Sequence, residues 1–139
     1  MTGSGDFQEF MRIREQAASA YVNGDADPVE AMTTEAAPAS FFGPDGGSMT
    51  EPAAIREAYR SGAQMFASGG ESRLEVLDAR AGGDIAYWCG IQHATVRLVA
   101  DGSTVEMPLR ITEIFRRERS TWKLVHRHAD PLRRTGTVG

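Results

Sequence analysis

The spacing of apolar residues changes once along the chain. In the first half they recur every three or four positions, as on one face of a helix, over 6–23 and again after Pro52. Between these segments, 28–32 fits a short helix that starts with proline, and 37–43 fits a short strand. From Ser72 onward apolar and polar residues alternate, which predicts strands with one buried face.

Turn signals divide the alternating half into four strands. In chain order these are a strand that ends at Gly82-Gly83 and the strands 85–99, 104–117 and 122–129. Asp101-Gly102 and Arg119-Ser120 are expected to form tight turns between the last three. Helices followed by a run of long antiparallel strands indicate an α+β fold in which the helices cover one face of a strongly bent sheet.

The composition agrees with one domain. The chain has 139 residues, of which 41% are hydrophobic and 24% charged. We expect a single domain over 1–139, with an ordered core at 6–131 and tails at 1–5 and 132–139. The single cysteine, Cys89, excludes an internal disulfide.

The charge and hydropathy of the chain limit the kinds of partner that it is expected to bind. The net charge is −4, which disfavours a nucleic-acid surface, and we interpret the late arginines as a hairpin tip and a basic tail. No apolar run has the length of a membrane span, and the first residues lack a signal-peptide pattern. We therefore expect a cytoplasmic protein that binds neither membrane nor nucleic acid.

Four segments together resemble one superfamily. AYVNGDADPVEAM (20–32) resembles the end of its first helix, and AAIREAY (53–59) resembles the third helix of bacterial ketosteroid isomerases. The segments 84–92 and 112–131 resemble the association domain of calcium/calmodulin-dependent protein kinase II and its SnoaL-like bacterial relatives. The resemblance implies the cone-shaped, cystatin-like fold of nuclear transport factor 2-like proteins. That fold serves isomerases, hydrolases, cyclases and assembly domains, so it does not define an activity.

The catalytic residues of the steroid isomerases are not retained. Ala17 stands where the resemblance places their oxyanion-binding tyrosine, and Gly43 stands at their general base. Arg110 and Ile111 lie nearest to their second acid, and only Tyr59 matches a tyrosine of their hydrogen-bond network. We therefore expect no steroid isomerase activity.

Alternation along the last two strands assigns one face to the interior. That face carries Leu109, Ile111, Glu113, Phe115, Trp122, Leu124, His126 and His128. A two-residue turn places Glu113 opposite His126 and Ile111 opposite His128, with Cβ atoms roughly 5 Å apart. The expectation is a hydrogen bond between Glu113 and His126 inside the cone.

The preceding strand has two alternatives. Counting through the Asp101-Gly102 turn, Trp88, Gly90 and Gln92 face inward. A bulge near Pro108 would instead turn Tyr87 and Cys89 inward, and the sequence leaves both arrangements open.

These faces supply the candidate site. The candidate catalytic residues for acid–base chemistry are Glu113, His126 and His128. The candidate ligand-binding residues are Tyr59, Trp88, Gln92, Trp122 and Phe115, with Phe41 and Phe66 as further walls. The alternative is a buried Glu–His pair that only stabilises the sheet. Two histidines and a glutamate also resemble a metal-binding triad in residue type, but we predict neither a metal nor a cofactor.

Two functions fit these observations. The first is a pocket protein for a small hydrophobic or mixed-polarity molecule, including enzymes of the isomerase, hydrolase or cyclase type. The alternative is a non-catalytic oligomerisation module, as in the kinase association domain. Tyr87, Ile91 and Ile114 place apolar side chains on the outer sheet face, which predicts a homodimer through that face.

Overall fold

The computed structural model describes residues 4–133, so most of the tails expected at 1–5 and 132–139 lies outside the described residues. The elements are α1 (Ser4–Val22), α2 (Asp27–Met32), β1 (Ser40–Phe42), β2 (Ser48–Met49), α3 (Pro52–Ala63), β3 (Phe66–Gly82), β4 (Ile85–Leu98), β5 (Thr104–Glu118) and β6 (Thr121–Pro131). The strands form one mixed sheet in the order β2-β1-β6-β5-β4-β3, in which only the β1–β6 pair is parallel among the described strands. The α+β fold is confirmed. Within residues 4–133, no helix has an apolar stretch long enough to cross a membrane.

One face of α1 is buried along its whole length. The buried positions recur at helical spacing and are Phe7, Phe10, Arg14, Ala17, Ala18 and Val22. Five of these six are apolar, and Arg14 is the exception. The helix therefore carries one charged side chain into the interior of the domain.

The third helix ends earlier than the sequence predicts. Ser68-Gly69-Gly70 fits a helix end, but α3 stops at Ala63 and these residues lie within β3. The Asn23 side chain holds these glycines in the strand, because its Oδ1 accepts hydrogen bonds from the Gly69 and Gly70 N–H groups at 2.8 and 3.0 Å. Gly69 has φ +104° and lies in a bulge between Ala67 and Glu71, so the glycines shape a strand.

A second bulge bends the sheet. The register of β3 against β4 shifts between Val76 and Asp78, opposite Gly90 and Cys89. A β-carbon at Gly90 would overlap the Glu75 carbonyl oxygen, so only glycine permits this close approach. The bend gives the sheet a concave inner face.

The pairing of β4 with β5 is continuous from Ile85 to Arg97. Trp88 lies opposite Glu113, and Trp88, Gly90 and Gln92 face inward and are buried. The connection after Leu98 is longer than a two-residue turn by an even number of residues. The same side chains of β4 therefore face inward as the sequence count predicts. This settles the open alternative, and Tyr87 and Cys89 lie on the outer face.

A bulge in β6 overturns one expectation. Near the turn, Phe115 lies opposite Leu124, as a two-residue turn requires. The next pair is Ile114 with His126, so Val125 is an extra residue on β6. Beyond it every side chain changes face. Glu113 therefore lies opposite Arg127, and the prediction that it pairs with His126 is wrong.

Candidate functional site

A buried carboxylate organises the interior. Glu113 is fully buried, and Oε1 accepts hydrogen bonds from Arg14 Nε at 2.9 Å and Trp88 Nε1 at 2.7 Å. Oε2 accepts from Arg14 Nη2 at 2.8 Å and Arg127 Nη1 at 2.6 Å. A carboxylate offers about four lone-pair positions, so this one has no capacity for a further donor.

A second contact fixes the other guanidinium. Arg127 Nη2 donates to Gln92 Oε1 at 3.0 Å, and Gln92 Nε2 donates to Ser72 Oγ at 3.1 Å. The Gln92 amide therefore presents its oxygen to Arg127. This contact positions the guanidinium group without neutralising its charge. We call Arg14, Gln92, Glu113 and Arg127 the polar layer.

The polar layer carries one net positive charge, because two guanidinium groups face one carboxylate. Burial alone would raise the pKa of Glu113, but Arg14 and Arg127 outweigh burial and lower this pKa to about 2. Burial would also lower the pKa of Arg14, and the Glu113 carboxylate raises it instead. At neutral pH Glu113 is therefore ionised and is unsuited to acid–base catalysis.

A cavity of about 110 Å³ lies beside the polar layer. Arg14, Gln92 and Arg127 contribute to its wall. Most of the remaining wall is apolar and includes Val22, Val29, Phe41, Phe66, Val96 and Leu109. An apolar cavity of about 150 Å³ holds one benzene molecule. The cavity is smaller than this but is partly open to solvent, so its size suits a short branched chain or one small ring.

Two buried donors on side chains that line this cavity have no hydrogen-bond partner among the described residues. They are Arg14 Nη1 and Tyr59 Oη, and both side chains line the cavity. Arg14 is 3% exposed and Tyr59 is 5% exposed. Burial raises the pKa of Tyr59 to about 12, so the hydroxyl keeps its proton. A buried unpaired donor costs about 1–3 kcal/mol, and an acceptor in the cavity would offset that cost.

The two histidines lie outside the cone, because the β6 bulge turns them to the outer face. His126 Nδ1 and Ser40 Oγ are 2.7 Å apart. The Phe42 ring stands edge-on to both imidazoles, with centroids 5.0 Å from His126 and 5.5 Å from His128. Burial and, next, the neighbouring His128 lower the pKa of His126. The expected cluster with Glu113 is not formed.

The same bulge separates the residues of the possible metal-binding triad, because it places Glu113 and the two histidines on opposite faces of the sheet. Among residues 4–133, no three or more His, Cys, Asp or Glu side chains are placed to hold a metal ion. The site in this structure is an arginine site.

Three aromatic residues expected to wall the pocket fill the core instead. The Phe115 ring lies 5.6 Å from Phe7 and 5.0 Å from Phe10 between centroids. Trp122 lies 5.7 Å from Phe7, and Trp88 is fully buried. None of Trp88, Phe115 and Trp122 lines the cavity.

The other predicted wall residues do line it, namely Tyr59, Gln92, Phe41 and Phe66. The sequence reasoning did not single out Tyr21, which also lines the cavity and stands edge-on to Tyr59 at 5.9 Å. Phe41 stands edge-on to Tyr59 on another side at 5.5 Å. These contacts hold the Tyr59 ring in place.

Sequence reasoning also missed both arginines. Arg14 had a visible signal, because it interrupts the apolar stripe of α1 just as Glu113 interrupts the apolar face of β5. Two opposite charges in two buried faces indicate a partnership. Arg127 had no such signal, because its inward position depends on the bulge at Val125.

A bent six-stranded sheet with three helices on its concave face, enclosing a cavity, defines a protein of the nuclear transport factor 2-like class. The family model described as SnoaL-like domain matches residues 11–132, and the chain belongs to this family. No curated protein matches the chain.

Solved structures agree on the fold. A nuclear transport factor 2-like protein from Salmonella enterica superposes with a TM-score of 0.78 at 19% identity, covering 96% of this chain and 95% of that one. A protein from Streptomyces avermitilis, described as a candidate dehydratase of the same class, gives 0.78 at 18% identity, covering 94% and 99%. A candidate calcium/calmodulin-dependent protein kinase II association domain from Xanthomonas campestris gives 0.72 at 12% identity, covering 89% and 86%. At these identities the similarity concerns the fold.

Proposed function

We propose that the chain binds a small molecule with an apolar body and a hydrogen-bond acceptor, held in the cavity between Arg14 and Tyr59. The observation that carries this proposal is that two side chains lining a mostly apolar cavity each have a buried donor with no partner among the described residues. In ligand pockets the apolar wall supplies affinity, and a few polar groups orient the ligand.

The same donors favour a reaction that develops negative charge on oxygen. A tyrosine hydroxyl and a guanidinium N–H that bind one oxygen stabilise an enolate or a tetrahedral oxyanion. Isomerisation, ester hydrolysis, cyclisation and dehydration next to a carbonyl all develop such charge. The similar protein from Streptomyces avermitilis is described as a candidate dehydratase.

In such a reaction the proton must be transferred by a group other than Glu113 and the two histidines that the sequence suggested. Glu113 has all its acceptor positions filled, and His126 lies on the outer face. Among the described residues that line the cavity, none is a carboxylate or an imidazole. The catalysis that we propose is therefore electrophilic, with the substrate or water exchanging the proton.

Ligand-detected NMR with small single-ring probes tests the proposal. Acetophenone, benzamide and benzoate share one ring and carry different acceptors, and toluene carries none. We expect at least one acceptor-bearing probe to bind and toluene to bind more weakly. Tyr59→Phe removes only the hydroxyl, and we expect it to weaken the bound probe by about fivefold to tenfold.

Tyr87→Phe is the matched control. Tyr87 lies on the outer face and donates its hydroxyl hydrogen bond to Asp78 at 2.7 Å. This variant should bind the probes as the unaltered chain does. If no probe binds, or if both variants bind equally well, the proposal fails.

We also propose that two copies of this chain associate through the outer sheet face. Tyr87 and Ile114 lie directly opposite each other on that face, and Ile91 lies on the same face four positions further along β4. The face also carries both partners of an ion pair, Arg110 and Asp130 at 2.6 Å, so a second copy presents complementary charge. Such assembly is compatible with a ligand in the cavity on the other side of the sheet.

A further inference from the structure

The charge of the polar layer limits what the cavity can hold. The Glu113 carboxylate receives hydrogen bonds from both guanidinium groups, so it neutralises only one of the two positive charges. Gln92 contacts Arg127 through a neutral oxygen. The excess positive charge is buried, since the Arg14 and Arg127 side chains are 4% and 10% exposed.

No other carboxylate among the described residues compensates for this charge at the cavity. None of the described lining residues is Asp or Glu. The other buried carboxylate, Glu30, is held by Arg60 through hydrogen bonds of 3.1 and 2.6 Å and does not line the cavity. A buried charge without a partner is costly, and a bound anion removes that cost.

The available donors match an anion with two oxygens. On the side chains that line the cavity, Arg14 Nη1 and Tyr59 Oη are buried donors that have no partner among residues 4–133. A carboxylate accepts one hydrogen bond on each oxygen from such a pair, and both bonds then involve a charged group. Larger oxyanions such as phosphate need more donors than these two, and the mostly apolar wall does not provide them.

We infer that the ligand is a small monocarboxylate, with a body of about one ring or a short branched chain. The inference rests on the proposed function and adds the charge of the ligand to it. One carboxylate brings the polar layer with its ligand to neutrality, whereas a dianion would leave an unpaired negative charge beside the ionised Glu113.

Calorimetric titration with matched probes tests the inference. Benzoate and benzamide have nearly the same shape and differ in charge, as do 3-methylbutanoate and 3-methylbutanamide. We expect each carboxylate to bind at least about tenfold more tightly than its amide, because hydrogen bonds to a charged acceptor are about twice as strong. Phthalate, a dianion on the same ring, should bind more weakly than benzoate.

A variant locates the effect at the cavity. Tyr59→Phe should weaken benzoate, and Tyr87→Phe should not. Glu113 and Arg14 are left unchanged because their replacement affects folding. A titration with chloride reports whether the positive charge attracts any small anion.

The outcomes separate this inference from the proposed function. If benzamide binds as tightly as benzoate and Tyr59→Phe weakens both, the pocket function stands and the monocarboxylate inference is overturned. If chloride competes with benzoate at equal concentration, the site holds an adventitious ion only and the inference is also overturned. If no probe binds, both proposals fail.

Discussion

Arg14 and Glu113 form a two-point ion pair, with donor–acceptor distances of 2.9 and 2.8 Å, between residues 99 positions apart in the sequence. The pair joins α1 to β5 in the interior, and both side chains are almost completely buried. It holds Arg14 in place, while Nη1 has no partner among the described residues. The interaction that stabilises the fold therefore also positions the guanidinium that we propose binds the ligand.

Glu113→Gln should destabilise the protein by about 3–5 kcal/mol, because two buried guanidinium groups then lose their counter-charge. The free energy of unfolding in urea measures the effect. Glu75→Gln is the control, since Glu75 binds His93 on the outer face and is about half exposed, and it should cost under about 1 kcal/mol. Equal stability of the two variants would contradict the account.

Stability should depend on pH through the same carboxylate. The folded state lowers the pKa of Glu113 from the ordinary 4.5 to about 2, so the folded chain binds fewer protons than the unfolded chain in this range. The stabilisation is therefore complete above about pH 5 and is lost as the pH falls towards 2, by on the order of 3 kcal/mol. Unfolding measured over this range checks the sign. Glu113→Gln should remove this component, and an unchanged pH profile would exclude Glu113 as its source.

His126 should titrate below the usual histidine value. Partial burial disfavours its charged form, and the adjacent His128 adds repulsion. A histidine whose folded pKa is lowered stabilises the fold less as the pH falls through its unfolded pKa. NMR titration of the imidazole protons, folded and in urea, compares the two states directly. A higher midpoint in the folded chain would contradict the outer-face environment described here.

Trp122→Ala should cost about 3–5 kcal/mol of stability. Trp122 is 3% exposed, packs against Phe7, and carries the Arg117 guanidinium 4.0 Å above its ring. Trp122→Phe keeps most of the aromatic contact and should cost distinctly less. Urea unfolding of both variants makes the comparison, and a small loss for alanine would show that Trp122 is not a core anchor.

Association through the outer face should give a dimer in sedimentation experiments at micromolar concentration. Ile91→Lys places a charge on that face and should shift the protein towards monomer. Ile13→Lys is the matched control, because Ile13 is an exposed residue of α1 and should not affect association. A monomer in the unaltered chain would exclude this interface.

Much of the fold could be predicted because periodicity reports which face of an element is buried. The helices, the long strands and the inward face of β4 follow from that pattern. The place of Gly69 and Gly70 in a strand could not be predicted, because the Asn23 side chain binds them from a distant part of the chain. Local glycine signals do not distinguish a bulge from a helix end.

The candidate site was predicted in part. The inward position of Glu113 followed from alternation, and so did that of Gln92. The partner of Glu113 could not be predicted. The extra residue Val125 places Arg127 instead of His126 opposite Glu113, and a valine at this position does not signal a bulge. Register fixes which side chain enters a core, and one inserted residue reverses the assignment.

The most direct test of the central claim is thermal unfolding of Tyr59→Phe with and without benzoate. Without ligand, removing a buried hydroxyl that has no partner should leave the melting temperature unchanged or raise it by about 3 °C. With ligand, the variant should lose most of the rise in melting temperature that benzoate gives the unaltered chain. A variant that melts lower without ligand and keeps the full benzoate-induced rise would contradict the account.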